Sequence, residues 1–455
     1  MSAIASLISR LRGASVMQRA VRGSALTVFN FGATQFIRLA TNLILTRLLF
    51  PEAFGIMALA TVFLTAMNQF SDIGVSASII RSNRGDDPVF LNTAWTLRLG
   101  RGIILFFIAC FGAYPMSVLY NEPLLAQIIP LMAISLILEG LFPTRIDLAV
   151  RNMSLGRLTV IGILATLFSV SIMIVLAYIF RSIWALPVGT VIGTTGRLLI
   201  YHFTLPGQRN SFGFERAAMK ELVNFGKWIF PATIATFAIY EADKFLIGRS
   251  VSLETLGIYN IGFFLASFPM MLSRHLGGQV LTPFYKKSPP AESRENLLRA
   301  RKLLLIIYGA LNFGIIVLML IGTWLVDFLY DDRYQLAGII LVALSSMQML
   351  QLIQVPYQNA CLGLGTGRDY FAMMALKAVF VVISIFVGLE NFGLLGGILG
   401  QGVAMLLAHP VIVYFARKAK VHDPLYDLIM FAMTASAAAM VWVIYGERIL
   451  QLTVY

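Results

Sequence analysis

Apolar runs of about 20 residues, separated by short clusters of charge, Gly and Pro, follow one another along almost the whole chain. They predict helical spans at 24–49, 53–80, 96–119, 124–149, 158–180, 182–203, 228–248, 256–284, 303–328, 336–362, 371–389 and 393–416. A further stretch, 428–445, is apolar but rich in Ala, Met and small polar residues, and is the candidate for a thirteenth span. The runs are continuous and do not alternate over ten-residue strands, which excludes a membrane β-barrel.

Composition agrees with this pattern. The 455 residues are 58% hydrophobic and only 13% charged, with a mean hydropathy of +0.81, which rules out a soluble globular protein. The net charge of +13 does not indicate nucleic acid, because its distribution along the chain follows the membrane topology. With the N-terminus inside, nearly all loop cations fall on the cytoplasmic face. The opposite face receives Arg47, Arg181, Arg249, Arg333 and Arg448. Residues 1–23 then read as a basic cytoplasmic leader and not as a cleavable signal peptide. Cys110 and Cys361 lie inside apolar runs, and His202, His275, His409 and His422 are far apart, so neither a disulfide framework nor a metal or other cofactor is expected.

Outer loops such as 120–123 and 390–391 are too short to form an extracytoplasmic catalytic domain, so an enzyme is not expected. The two longest connections, 204–227 and 286–302, are cytoplasmic. In the first, Phe214, Ala218, Leu222 and Phe225 share a helical face opposite Glu215, Arg216, Lys220 and Glu221, as on an interfacial helix resting on anionic headgroups. In the second, Ser288 followed by Pro289 predicts a helix start.

Sliding the chain against itself matches RLLFPEAFGI, which begins at Arg47, with RSVSLETLGI, which begins at Arg249. Both segments join the first two helices of a six-helix set. The expected fold is an all-α polytopic membrane protein with two six-helix lobes related by a pseudo-two-fold axis along the membrane normal. The lobes are 24–203 and 228–416, joined by a linker helix at 204–227 and followed by an extension, 417–455, that holds the candidate thirteenth helix.

Charge within the spans marks the candidate site, because a charge at the bilayer centre costs about 2.5–3.5 kcal/mol even on a lenient scale. Arg38 is roughly mid-membrane in the first span, with Gln35 and Asn42 on its face. Glu241 and Lys244 are spaced for an intrahelical pair beside Asp243, and either neutralise each other or face a cavity. Lys377 has no local acid. Asp72 and Arg274 share the repeat offset and either form a gate ion pair or sit at headgroup level. Glu139 is a further intramembrane acid. Arg98, Arg101, Arg197 and Asp147 lie near cytoplasmic ends and can snorkel. The deeper cations Arg38, Lys244, Arg274 and Lys377 are matched in number by Asp72, Glu139, Glu241 and Asp243, so the cavity is not cationic unless Arg98 and Arg101 turn inward. Gln348, Gln351 and Gln358, with Asn359, form an amide stripe suited to sugar hydroxyls or to interhelical hydrogen bonds.

The segments TRLLFPEAFGIMALA, FSDIGVSASIIR and DKFLIGRSVSLETLGIYNIG, the basic leader and the two-lobe pattern resemble the polysaccharide transporter family, the Wzx-type oligosaccharide flippases. That family lies within the superfamily of multidrug, oligosaccharidyl-lipid and polysaccharide exporters. The resemblance implies a multi-pass protein of the bacterial inner membrane. It would move an undecaprenyl-diphosphate-linked oligosaccharide outward by alternating access, for lipopolysaccharide or exopolysaccharide biosynthesis. Lipid-linked oligosaccharide and membrane lipids are then its partners, with the polysaccharide polymerase machinery downstream and no nucleic acid. The resemblance also implies cavity arginines on the first and eighth helices, where Arg38 and Arg274 fall. The alternative is a cation-coupled multidrug or lipid exporter of the same superfamily, with Glu139 or Glu241 binding the ion.

Overall fold

A computed structural model describes residues 16–152 and 155–455, with side chains from Asn30 onward except those of 155, 225–229 and 279. The first part of the leader and the side chains of Phe225 and Lys227 lie outside this description. Every regular element among the described residues is helical.

The helices follow the apolar runs. They are α1 (Val16–Leu48), α2 (Pro51–Phe70), the short α3 (Val75–Arg81), α4 (Pro88–Leu119), α5 (Leu125–Gly140), α6 (Arg145–Arg151), α7 (Leu155–Phe180) and α8 (Ala185–Thr204). The second half holds α9 (Arg216–Tyr240), α10 (Ala242–Ser250), α11 (Leu253–Ala266), α12 (Phe268–Leu276), a π turn (Gly277–Leu281), α13 (Thr282–Lys287), α14 (Arg294–Leu329), α15 (Gln335–Leu364), α16 (Gly367–Lys418) and α17 (Pro424–Leu450). The thirteenth apolar stretch is therefore a full helix.

Seven of these helices are long and apolar enough to cross a membrane, and two bent pairs, α5 with α6 at 56° and α11 with α12 at 45°, bring the number to nine among the described residues. α16 holds two of the expected spans, because Phe392 and Gly393 leave helical geometry and Gly393 has φ +56°. A side chain would be strained in that left-handed turn. α1, α8 and the α9–α10 pair are less apolar because they carry the polar and small residues that the sequence marks, among them Arg38, Thr194, Asp243 and Lys244.

The chain divides into two compact units. One comprises 1–49, 71–118 and 123–230, and the other 50–70, 119–122 and 231–455. α2 thus packs in the second unit although it lies within the first six spans, because its backbone closes directly on α11. α9 runs unbroken through the division, which falls at Pro231.

In the first unit, α1 packs on α7, α7 on α8, and α8 on α5. The segment after α8 is strapped to this unit. Arg145 donates to the carbonyls of Leu205 and His202, Asn210 exchanges two hydrogen bonds with Thr144, and the Gly213 and Glu215 amides donate to Thr96 and Thr93. Ala218 and Leu222 are fully buried against Val75, Ile79, Phe90, Leu91 and Ala94. Ala218 and Leu222 of the stripe read as lipid-facing therefore rest on protein, because α3 and α4 offer them an apolar face, while Phe214 is 66% exposed. Arg84 completes the strap, pairing with Asp87 at 2.6 Å and with Glu215 at 2.7 Å.

Arg84 holds the Asp87 carboxyl below its ordinary value. A depressed carboxylate contributes stability that is fully present above about pH 4 and fades as pH falls through the folded value. Hydrogen exchange of 205–221 is expected to be unchanged between pH 7 and 5, after correction for intrinsic rates, and to accelerate only below about pH 4. Acceleration already at pH 6 would show that other groups hold the strap.

In the second unit, α14 starts at Ser293, whose hydroxyl accepts from the Asn296 amide at 3.0 Å. The start expected at Ser288–Pro289 is displaced because α13 ends there. α17 is fixed at its first turn. Asp423 accepts from the Leu425 and Tyr426 amides and forms a two-point ion pair with Arg301 at 2.6 and 2.8 Å. One turn on, Asp427 accepts from Tyr357 at 2.7 Å, with His422 at 3.0 Å and His409 at 3.4 Å from its carboxylate.

Candidate functional site

In the first unit, Arg38 of α1 is exposed and donates to Gln35 at 3.3 Å. Gln35 is buried, and the Asn42 Oδ1 is buried with no hydrogen-bond partner among the described residues. Of the three polar residues, Arg38 and Gln35 thus meet directly. Asp72 accepts from the Gly74 amide at 2.8 Å, an Asx turn that ends α2, with Gly74 at φ +63° starting α3. Arg101 donates to Ser71 at 2.9 Å and feels the charges of Asp72 and Glu139, so these three ionisable residues gather at the end of α2. Arg98 and Asp147 form a largely buried ion pair at 2.8 Å, with Ser76 also accepting from Arg98. The sequence reading places each of them near a cytoplasmic end, free to snorkel, and does not join them.

In the second unit, α9 breaks at Glu241 and restarts as α10, which brings Glu241 and Lys244 together at 2.6 Å. Lys244 also lies 4.2 Å from the Phe263 ring centre. Asp243 accepts from the Tyr259 hydroxyl at 2.7 Å, and Gln401 donates to that hydroxyl at 3.1 Å. The Asp243 residue is 6% exposed, and its Oδ1 has no hydrogen-bond partner among the described residues. Tyr259 and Gln401 were not singled out from sequence, because nothing in their spacing links them to α10.

Lys377, on the first arm of α16, is 1% exposed, and its Nζ has no hydrogen-bond partner among the described residues. The nearby charge that bears on it is Arg274 of α12. Arg274 is exposed, with its guanidinium carbon 4.2 Å from the centre of the Tyr240 ring. Ser273 and Tyr308 lie beside each other with fully buried hydroxyls. Two cations and a group of hydroxyls from α9, α12, α14 and α16 thus converge, and such a set suits an anion.

The amide stripe of α15 is divided. Its Asn359 donates to Val355 on its own helix, while Gln354, which the stripe did not include, donates to the Met405 carbonyl of α16 at 2.6 Å. Gln348 and Gln358 are buried, each with one amide atom without a hydrogen-bond partner among the described residues, and Gln351 is half-buried. No group of three His, Cys, Asp or Glu residues that could hold a metal occurs among the described residues.

The fold is that of the two-lobe exporters. It matches an inward-facing multidrug resistance MATE family transporter with a TM-score of 0.65 at 14% identity, covering 85% of this chain and 94% of that one. It also matches the lipid II flippase MurJ in an inward closed conformation, with a TM-score of 0.67 at 13% identity over 94% and 93% of the two chains. A family model described as polysaccharide biosynthesis protein matches residues 44–337, and the chain belongs to that family, the Wzx-type polysaccharide transporters. Relatives include the lipopolysaccharide biosynthesis protein WzxC of Escherichia coli, 20% identical over 82% of this chain and 75% of its own. Another is the teichuronic acid biosynthesis protein TuaB of Bacillus subtilis, 20% identical over 71% of this chain and 67% of its own. The protein is thus a multi-pass membrane transporter of polysaccharide biosynthesis.

Proposed function

We propose that the protein flips an undecaprenyl-diphosphate-linked oligosaccharide across the bacterial inner membrane by alternating access, with its N-terminus in the cytoplasm. It acts as a transporter and not as an enzyme, and it delivers its cargo to the polymerase machinery outside. The observation that carries this reading is Lys377, a buried ammonium with no hydrogen-bond partner among the described residues, next to Arg274 on its tyrosine. A buried charge is held at a cost of several kcal/mol unless it is paired, and a diphosphate supplies the missing counter-charge. Arg274 and Lys377 bind its oxygens, Ser273 and Tyr308 donate hydroxyls, and Gln348, Gln351 and Gln358 meet the sugars. In the first unit, Arg38 with Gln35 and Asn42 is a separate candidate for substrate contact.

Outward movement of a negative head group is downhill in an inside-negative potential by about 2.3 kcal/mol per charge per 100 mV. Asp72, Glu139, Glu241, Asp243 and Lys244 then tune or gate the cycle. A second reading, a cation-coupled exporter, is favoured by one observation, the buried unpartnered Oδ1 of Asp243.

The test is the lipid-linked oligosaccharide pool in cells lacking this protein and any redundant flippase. The intermediate is expected to accumulate on the cytoplasmic side and to clear with the wild-type protein. With Arg38→Ala or Arg274→Ala, clearance is expected to be at least about tenfold slower, because a charge-assisted contact is worth about 1.5–3 kcal/mol. No accumulation on deletion would sink the flippase reading and promote the exporter.

A further inference from the structure

The second to fourth turns of α14 carry a pocket that plays no part in the anion site. Its volume is about 410 Å³, and Leu298, Arg301, Lys302, Leu305 and Ile306 line it. These residues recur at the three- and four-residue spacing of one helical face, so two cations and three aliphatic side chains share a single wall. Arg299 is paired with Glu295, whereas Lys302 is exposed. Arg301 gives its Nε and Nη2 to Asp423, which fixes the guanidinium plane and leaves Nη1 for another acceptor.

The rest of α14 sets the depth of this wall in a bilayer. Trp324 and Phe328 are exposed and stack with ring centres 5.5 Å apart, an aromatic pair of the kind that sits at a membrane interface. Lys302 precedes Trp324 by 22 residues, about 33 Å along a helix, which matches the hydrocarbon thickness of a bilayer. Between the two, Ile306, Phe313 and Leu320 are exposed. Arg301 and Lys302 therefore lie at the level of lipid phosphates, and the exposed apolar face begins one turn beyond them.

We propose that this pocket binds one anionic phospholipid. Its phosphodiester lies between Arg301 Nη1 and Lys302, and an acyl chain runs from Leu305 and Ile306 along α14. A soluble phosphate would leave the three aliphatic side chains against water, and a zwitterionic lipid would bring its own ammonium to two cations. Charge and apolar lining together select a lipid with net negative charge. Through Arg301 the bound phosphate also steadies Asp423 and the first turn of α17. The site lies wholly in the second unit and does not depend on which cargo is carried.

The test uses the full chain in detergent, stripped of lipid and titrated with dioleoyl phosphatidylglycerol, with bound lipid counted by native mass spectrometry. Phosphatidylglycerol is expected to bind at least about tenfold more tightly than phosphatidylcholine, and Lys302→Glu to abolish that preference. Lys220→Glu, the same charge change at an exposed position of α9, is expected to leave the preference intact. Equal affinity for the two lipids, or a preference lost equally in both variants, would overturn the site. Glycerol 3-phosphate, which carries the phosphate without the chains, is expected not to displace the lipid, and full displacement would make this a soluble-anion site instead. Bound phosphatidylglycerol is also expected to slow proteolysis near 417–426 at least about threefold in the wild type and not in Lys302→Glu. Cleavage unchanged at saturating lipid would remove Arg301 from the site and overturn its link to α17.

Discussion

Replacing Lys377 by methionine is expected to make the protein more heat-stable and unable to transport. Its ammonium is buried at 1% exposure with no hydrogen-bond partner among the described residues. Exchanging buried ionic groups for an apolar side chain of similar volume is neutral or stabilising by about 1–4 kcal/mol. A shift of a few degrees upward in the melting midpoint of the detergent-solubilised protein should report it. Under the proposed function the same exchange also removes the counter-charge to the cargo's diphosphate. Losing one partner of a buried charge pair costs about 2–5 kcal/mol, so clearance should fall by at least about thirtyfold. Lys377→Arg keeps the charge and should retain part of the activity. A lower melting midpoint for the methionine variant would instead make Lys377 a structural residue.

The largest loss of stability is expected from Asp423→Ala. Asp423 is 3% exposed, caps α17 through two amides and pairs at two points with Arg301. Arg301 is partly exposed, so solvent screens part of the pair. With the cap worth about 1 kcal/mol and the buried carboxylate pair more, a total of about 3 kcal/mol is expected. Thermal denaturation should report it, and limited proteolysis should cut near 417–426 in the variant before the wild type. Arg301→Ala should approach the same loss, because it strands a buried carboxylate, and the double variant should cost less than the sum of the two. Additive losses would show that the two residues act separately.

How much of this was legible in the sequence follows from the range of the interactions. Helix positions were readable because a bilayer demands long apolar runs. Lys377 was readable as a charge without a local acid, and the Glu241–Lys244 pair was readable because it is one turn apart. What the sequence concealed lies between distant segments. Tyr259 and Gln401 reach Asp243 from α11 and α16, and Arg98 finds Asp147 across 49 positions. The linker stripe looked lipid-facing because amphipathicity marks an apolar face without saying what covers it. Asp72 turned out to end a helix, a local role that its spacing from Gly74 permits but that its depth masked. The repeat was visible as four coincident residues, yet its meaning needed the structure, since only there do the two copies touch.

Pro231 lies inside α9, where a proline has no amide proton to give to the carbonyl one turn back. The helix therefore carries an unmade backbone bond in its interior, and under strain α9 should bend there before it bends anywhere else along its length.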